Sequence, residues 1–164
     1  MTREQEAGYT EVLAGAICRE IGARDFYRRI AGEIRNPEGK DRFKRLSGDE
    51  EGHRKKLESW YEKLFGKRFA ADPKMLKETE IQDVKLSKQT GAMAALDLAI
   101  KAEAAAEEFY AKQAETVSMP ELRDLFVKLS GEEHGHYELL TAERNTLAGG
   151  FYWFDMDSTQ FLED

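Results

Sequence analysis

Apolar residues recur every three or four positions through four long segments, which is the spacing of a buried helix face. The segments span residues 9–35, 38–66, 91–118 and 120–147. Short links between segments contain Asn36-Pro37 and Pro120. The second segment ends near Gly66 and the fourth ends before Gly149. The pattern predicts four α-helices, each roughly 40 Å long at 1.5 Å per residue.

The connection between the second and third helices, about residues 67–89, is much longer than the other two. Asp72-Pro73 predicts a short helix within it, capped by the aspartate. Short links make the helices of each pair antiparallel. The long connection can return along the bundle, since extended chain covers up to ~3.3 Å per residue. The chain is therefore predicted to be an all-α four-helix bundle with one long crossover.

Residues 13–57 match residues 96–140 without a gap, at an offset of 83. Nineteen of the 45 aligned positions are identical, whereas unrelated sequences agree at roughly 6% of positions, or about three. The identities include proline, glycine and histidine, which two merely similar helical compositions would not align. We infer an internal duplication with two helices in each copy, related by a pseudo-twofold axis.

Six side chains of the kind that bind metals occupy duplicated positions near helix midpoints. They are Glu20, Glu50, His53, Glu103, Glu133 and His136. Each copy supplies one Glu on its first helix and a Glu-x-x-His sequence on its second, and side chains three residues apart share a helix face. One Glu from each of two helices, with Glu-x-x-His from each of the other two, is the di-metal pattern of ferritin-like bundles.

A single Glu-x-x-His sequence on an acidic helix is weak evidence for a metal site. Two of them at a fixed offset, each thirty residues after a mid-helix Glu, predict a metal site. Four buried carboxylates without a cation would cost several kcal/mol each. Oxygen-rich ligation with two imidazoles suits iron or manganese, and zinc also fits. We predict two bound metal ions, with iron as the first choice.

The pattern resembles the rubrerythrin-like branch of the ferritin-like superfamily over about residues 9–147. A tyrosine follows the first Glu of each copy by seven residues, at Tyr27 and Tyr110. The resemblance implies a di-iron oxidoreductase of the peroxidase or ferroxidase type, acting on hydrogen peroxide or oxygen. The alternative is a non-catalytic metal-binding or iron-handling bundle. The two tyrosines either support the metal site, through a hydrogen bond or as radical quenchers, or simply pack in the core.

Rubrerythrins take electrons from an iron centre held by four cysteines, and this chain has only Cys18. The resemblance therefore implies a separate electron donor. It also implies a homodimer, because related proteins are commonly dimers.

The third helix departs from the rubrerythrin pattern. The family's extra carboxylate lies three residues after Glu103, where this chain has Ala106, and Glu107 follows it. Glu107 lies one turn beyond Glu103, so it is either a fifth carboxylate ligand or the partner of Arg24 in an ion pair.

Four glycines flank the ligand glutamates inside the second and fourth helices. They are Gly48, Gly52, Gly131 and Gly135. Glycine costs about 1 kcal/mol relative to alanine inside a helix, so these positions call for an explanation. They either leave an opening for small molecules or allow close helix packing.

Composition narrows the partners and the location. The chain has 32 acidic and 25 basic residues, for a formal charge of -7. Such a surface disfavours nucleic acid and anionic membranes as partners, and no apolar run approaches the roughly 20 residues that span a bilayer. A polar N-terminus without a signal-peptide core, and a single cysteine, lead us to expect a cytoplasmic protein.

The last residues are richer in aromatic side chains than the rest of the chain. Five of the 17 aromatic residues lie in the last 14 positions. We expect residues 1–148 to form the bundle and residues 149–164 to form a tail that packs on the bundle or on a second subunit, since an exposed aromatic strip is a liability.

Overall fold

A computed structural model describes residues 1–82, 85–86 and 89–149. In chain order its helices are α1 (Arg3–Glu33), α2 (Pro37–Phe65), α3 (Pro73–Thr79), α4 (Gln89–Thr116) and α5 (Pro120–Ala148). The described residues form no strand, so the predicted all-α class is confirmed. Among them, no helix combines the length and apolar character needed to cross a membrane. The predicted tail lies outside the described residues, apart from Gly149.

Helix α1 begins six residues earlier than the apolar pattern predicts. The hydroxyl of Thr2 accepts a hydrogen bond from the backbone N–H of Gln5 at 3.2 Å. The Gln5 side chain in turn accepts one from the backbone N–H of Thr2 at 2.9 Å. This reciprocal capping box satisfies two N–H groups that a helix start would leave unpaired. Residues 1–8 are exposed, which is why apolar periodicity missed this turn.

The ends of α2 follow the predicted signals. The side-chain oxygen of Asn36 accepts hydrogen bonds from the backbone N–H groups of Glu38 at 2.9 Å and Gly39 at 3.2 Å. The helix stops before Gly66, whose φ of 66° lies in the left-handed region. Only glycine adopts that conformation without a steric penalty.

The predicted short helix in the long connection is confirmed as α3. Asp72 caps it by accepting a hydrogen bond from the backbone N–H of Lys74 at 2.9 Å, and Pro73 is its first residue. The far end of α3 lies against α1. A β-carbon added at Gly22 would come within 2.6 Å of the Thr79 carbonyl oxygen, so glycine is needed for this approach.

The chain divides into two compact units. Unit 1 contains residues 1–29 and 42–81, and unit 2 contains residues 30–41 and the described residues from 82 onward. In unit 1, Tyr27 near the end of α1 contacts Phe43 near the start of α2, with ring centroids 6.0 Å apart. In unit 2, Tyr110 and Phe126 make the equivalent contact between α4 and α5 at 5.9 Å. Each unit thus contains an antiparallel helix pair.

The duplication is visible in the helix bounds. Helices α2 and α5 begin at Pro37 and Pro120 and end at Phe65 and Ala148, so both ends differ by the same 83 positions. Helices α1 and α4 end with the same offset, at Glu33 and Thr116. The conserved spacing places equivalent side chains at equivalent levels of each pair.

Candidate metal centre

Unit 1 contains a buried cluster of two carboxylates and one imidazole. Nδ1 of His53 lies 3.2 Å from Oε2 of Glu50 and 3.5 Å from Oε2 of Glu20. Each residue offers a ligand atom within 4.8 Å of the others. None is more than 3% exposed. The structure therefore brings together the three ligands predicted for the first copy.

Unit 2 contains the equivalent cluster. Nδ1 of His136 lies 3.4 Å from Oε2 of Glu133 and 3.5 Å from Oε1 of Glu103. All three are buried, and their ligand atoms again lie within 4.8 Å of one another. In both copies the Nδ1 atom of the imidazole faces the carboxylates.

Side-chain hydroxyls fix the register that assembles each cluster. Oγ of Ser47 on α2 donates a hydrogen bond to the backbone carbonyl of Arg24 on α1 at 2.9 Å. Oγ of Ser130 on α5 donates to the carbonyl of Glu107 on α4 at 3.0 Å. These serines lie three residues before the Glu-x-x-His sequences. They therefore set which residue of the neighbouring helix faces the imidazole.

The donor set fits a divalent cation. Each cluster carries two carboxylates, and two buried like charges this close are unstable unless a cation or proton compensates them. A neutral imidazole with carboxylate oxygens is the ligand combination used by iron, manganese and zinc. Each cluster is therefore a candidate metal-binding site.

The two predicted supporting tyrosines are core residues. Tyr27 and Tyr110 are 0% and 1% exposed. Their rings pack against Phe43 and Phe126, as described above. This is the packing role that the sequence left open, and their support of the metal site stays a prediction.

Glu107 lies outside the cluster of its own copy. Its carboxylate is 3.1 Å from Nδ1 of His134, whose Nε2 is 3.1 Å from Glu138. The pKa of His134 is raised, and the hydrogen bond that its ring makes to the Glu107 carboxylate is the largest cause. The described groups with ligand atoms within 4.8 Å do not include Glu107. Its role as a fifth ligand therefore stays a prediction.

The equivalent positions of unit 1 hold an ion-pair network that the sequence analysis missed. Arg24 donates to Glu51 at 2.8 Å and to Asp25 at 3.0 Å. Glu51 also accepts from Arg54, which donates to Glu58 as well. The signal was available, since Glu51, Arg54 and Glu58 are spaced three and four residues apart. Arg24 thus pairs with acids of its own unit.

The four glycines beside the predicted ligands have open space around them. A β-carbon added at Gly48, Gly52, Gly131 or Gly135 would meet no described atom within 4 Å. The interpretation that these glycines allow close helix packing within the chain is therefore wrong for the described residues. The opening for small molecules stays a prediction.

Known proteins resemble the chain in fold and sequence. A hypothetical protein from Pyrococcus furiosus is 33% identical, with a TM-score of 0.77 over 86% of this chain and 90% of its own. A Dps1 mutant from Mycobacterium smegmatis is 13% identical, with a TM-score of 0.72 over 88% of this chain and 99% of its own. An uncharacterized conserved protein from Magnetospirillum magnetotacticum is 18% identical, with a TM-score of 0.64 over 82% of this chain and 92% of its own. No curated protein matches the chain significantly.

These neighbours are ferritin-like helical bundles, which is the fold predicted from the four helices and the ligand pattern. The rubrerythrin family model matches residues 11–144, which include both clusters. The chain belongs to the rubrerythrin family.

Proposed function

We propose that the two clusters bind two metal ions, with iron as the native metal. We further propose that the protein is an oxidoreductase of the peroxidase or ferroxidase type. The observation that carries this proposal is the recurrence of one buried Glu₂His set at equivalent positions of both copies. Membership of the rubrerythrin family supports the choice of iron.

Burial limits the substrate to small molecules. In each cluster the side chains are at most 8% exposed, so a bulky organic substrate could not reach their ligand atoms. Hydrogen peroxide and oxygen are small enough. Two ferrous ions, when bound, would supply the two electrons that reduce one hydrogen peroxide to water. The clusters would hold the metals by carboxylate oxygens and by Nδ1 of each histidine, away from bulk water.

Continued turnover requires a separate electron donor. A rubredoxin-type iron centre needs four cysteines, and these 164 residues contain one. Cys18 is buried, and desolvation, with a smaller contribution from Asp72, raises the pKa of its thiol. It is therefore a poor thiolate nucleophile or redox partner. We place the protein in the cytoplasm, with neither nucleic acid nor a membrane as its partner.

The experiment is anaerobic iron loading of the metal-depleted full chain, followed by peroxide or oxygen. Bound iron per chain and the rate of peroxide or oxygen consumption are measured. We expect about two irons per chain and rapid consumption. Glu50→Ala and His136→Ala should each reduce iron binding. Glu115→Ala, which removes an exposed carboxylate of α4, is the matched control and should change neither quantity.

The outcomes separate the alternatives. Failure to bind iron in a chain that is folded by circular dichroism would refute the site itself. Binding without consumption of either oxidant would favour the non-catalytic, iron-handling interpretation. Equal loss of binding in the Glu115 variant would show that the loss is not specific to the clusters.

A further inference from the structure

Helix α2 carries exposed positive charge that the metal cluster of unit 1 does not use. Among the four long helices, only α2 has more basic than acidic side chains, with eight against seven. Helix α1 has five against six, α4 has two against five, and α5 has three against six. The whole chain has a formal charge of -7. Positive charge is therefore concentrated on one helix of an acidic chain.

Four exposed cations of α2 form two pairs that are eleven residues apart. They are Lys44, Arg45, Lys55 and Lys56. Eleven residues make about three helix turns, so the second pair lies on the same side of α2 as the first, roughly 16 Å along its axis. Gly48 and Gly52 lie between the pairs, and a β-carbon added at either would meet no described atom within 4 Å. These four cations and two glycines are called here the α2 basic face.

The chain does not neutralise the α2 basic face. Within the described part of the chain, none of its four cations makes a hydrogen bond or an ion pair. The acidic residues between the two pairs are engaged elsewhere. Glu50 is buried, Glu51 is bound by Arg24 and Arg54, and Asp49 already takes part in an interaction within the chain. The positive charge is therefore available to a partner.

The second copy does not share this charge. The equivalent positions of α5 are Val127, Lys128, Glu138 and Leu139, so three of the four cations are absent. The metal-ligand positions, in contrast, are identical in both copies. The α2 basic face is thus specific to the first copy, and Lys128 of α5 offers a matched control for Arg45.

The charges favour a compact acidic protein as the occupant. Beyond the Debye length of about 8 Å at physiological salt, charges are largely screened. A compact partner that touches only the α2 basic face therefore interacts with its cations and little with the acidic remainder of the chain. A long polyanion such as duplex DNA would extend past four cations and lie against acidic surface.

We propose that the α2 basic face docks the separate electron donor, and that this donor is an acidic redox protein. The inference rests on the proposed oxidoreductase function. Reduction of one hydrogen peroxide to two waters consumes two electrons, which the donor supplies, and two protons, which come from solvent. Along α2, Glu50 and His53 lie between the two cation pairs and are buried. A docked donor would thus lie level with the unit 1 cluster, about one helix diameter of ~10 Å away.

Binding is tested first, on the metal-free full chain, so that the result does not depend on turnover. The probes are a plant-type ferredoxin, which is acidic, and cytochrome c, which is basic. Redox complexes are small and weak, so we expect ferredoxin to bind with a Kd in roughly the micromolar range. Raising the salt from about 50 mM to about 500 mM should abolish this binding, and cytochrome c should not bind. Arg45→Glu should weaken ferredoxin binding roughly tenfold, whereas Lys128→Glu, the matched control on α5, should leave it unchanged.

Turnover of the iron-loaded chain then separates the docking site from the proposed function. Peroxide consumption is measured with pre-reduced ferredoxin and, separately, with dithionite, a small reductant that needs no docking surface. Arg45→Glu with Lys55→Glu should slow the ferredoxin reaction roughly tenfold and leave the dithionite reaction unchanged. Equal ferredoxin rates in variant and wild type would overturn the docking proposal alone. Ferredoxin binding without consumption by either reductant would overturn the proposed function and the donor role with it. Duplex DNA that binds this face more tightly than ferredoxin would also overturn the proposal.

Discussion

Arg24 and Glu51 join α1 to α2 through a hydrogen bond of 2.8 Å, and the equivalent positions of the second copy hold Glu107 and His134 with the charges reversed. Arg54 makes a second bond to Glu51 at 2.6 Å. The hydrogen bond from Arg54 is the largest influence on the pKa of Glu51, and the hydrogen bond from Arg24 lowers this pKa further. Against partial desolvation, they hold the pKa of Glu51 at about 2, below its ordinary 4.5. The duplicated pair of contacts has thus diverged in charge while keeping its geometry.

Glu51→Gln should destabilise the chain by about 1 kcal/mol at neutral pH, after allowance for solvent screening of this partly exposed group. A carboxyl group with a lowered folded pKa stabilises above its ordinary pKa and loses that contribution as pH falls towards the folded value. The melting temperature of the variant should therefore lie furthest below that of wild type above pH 5. The difference should shrink between about pH 4.5 and pH 2. Glu108→Gln breaks a fully exposed pair with Lys112 and serves as the control. A pH-independent difference would contradict the ion-pair explanation.

The four long helices could be predicted because each has a buried face, and several helix ends could be predicted because their signals are local. Asn36, Gly66 and Asp72 each cap or stop a helix through their own side chain or backbone. The start of α1 was missed because no buried residue marks it. The capping signal at Thr2 and Gln5 was present in the sequence, but it carries no apolar period.

Thr2→Ala should shorten α1 from its N-terminus. Loss of the hydroxyl removes the bond to the Gln5 backbone, and the loss of such a cap costs about 1 kcal/mol locally. Hydrogen exchange should speed up over residues 3–8, which are exposed and have no packing to retain them. Exchange at the buried residue Ile17 should stay slow. Unchanged exchange near the N-terminus would show that the capping box does not stabilise α1.

Two glycines of α1 should respond oppositely to the same substitution. Gly15 has open space around it, so Gly15→Ala should stabilise by up to about 1 kcal/mol through helix propensity. Gly22→Ala places a β-carbon 2.6 Å from the Thr79 carbonyl. It should destabilise by roughly 1–3 kcal/mol, because backbone atoms must move. Urea unfolding of the two variants gives both values. Stabilisation by both would show that α3 is free to shift.

The two metal clusters could be predicted because the duplication repeats a chemical set. The contacts that align the two helices of each pair could not be predicted. They are made by serine hydroxyls that bond to the backbone of the neighbouring helix. The role of Glu107 was left open for a similar reason. Spacing places it on the helix face of Glu103, but its partner is His134, which the repeat pattern does not include. Contacts between helices decide which of two same-face carboxylates reaches a site.

Removing charge from the clusters should separate folding from metal binding. Glu50→Gln with Glu133→Gln replaces two buried carboxylates by neutral isosteres, so the metal-free double variant should melt higher than the metal-free wild type. Adding ferrous iron should stabilise the wild type by about 2.7 kcal/mol when free metal is a hundredfold above Kd. It should leave the variant unchanged. Calorimetry of the four samples measures both effects. A metal-free variant that melts lower than the metal-free wild type would contradict the expectation that repulsion between buried carboxylates destabilises the clusters.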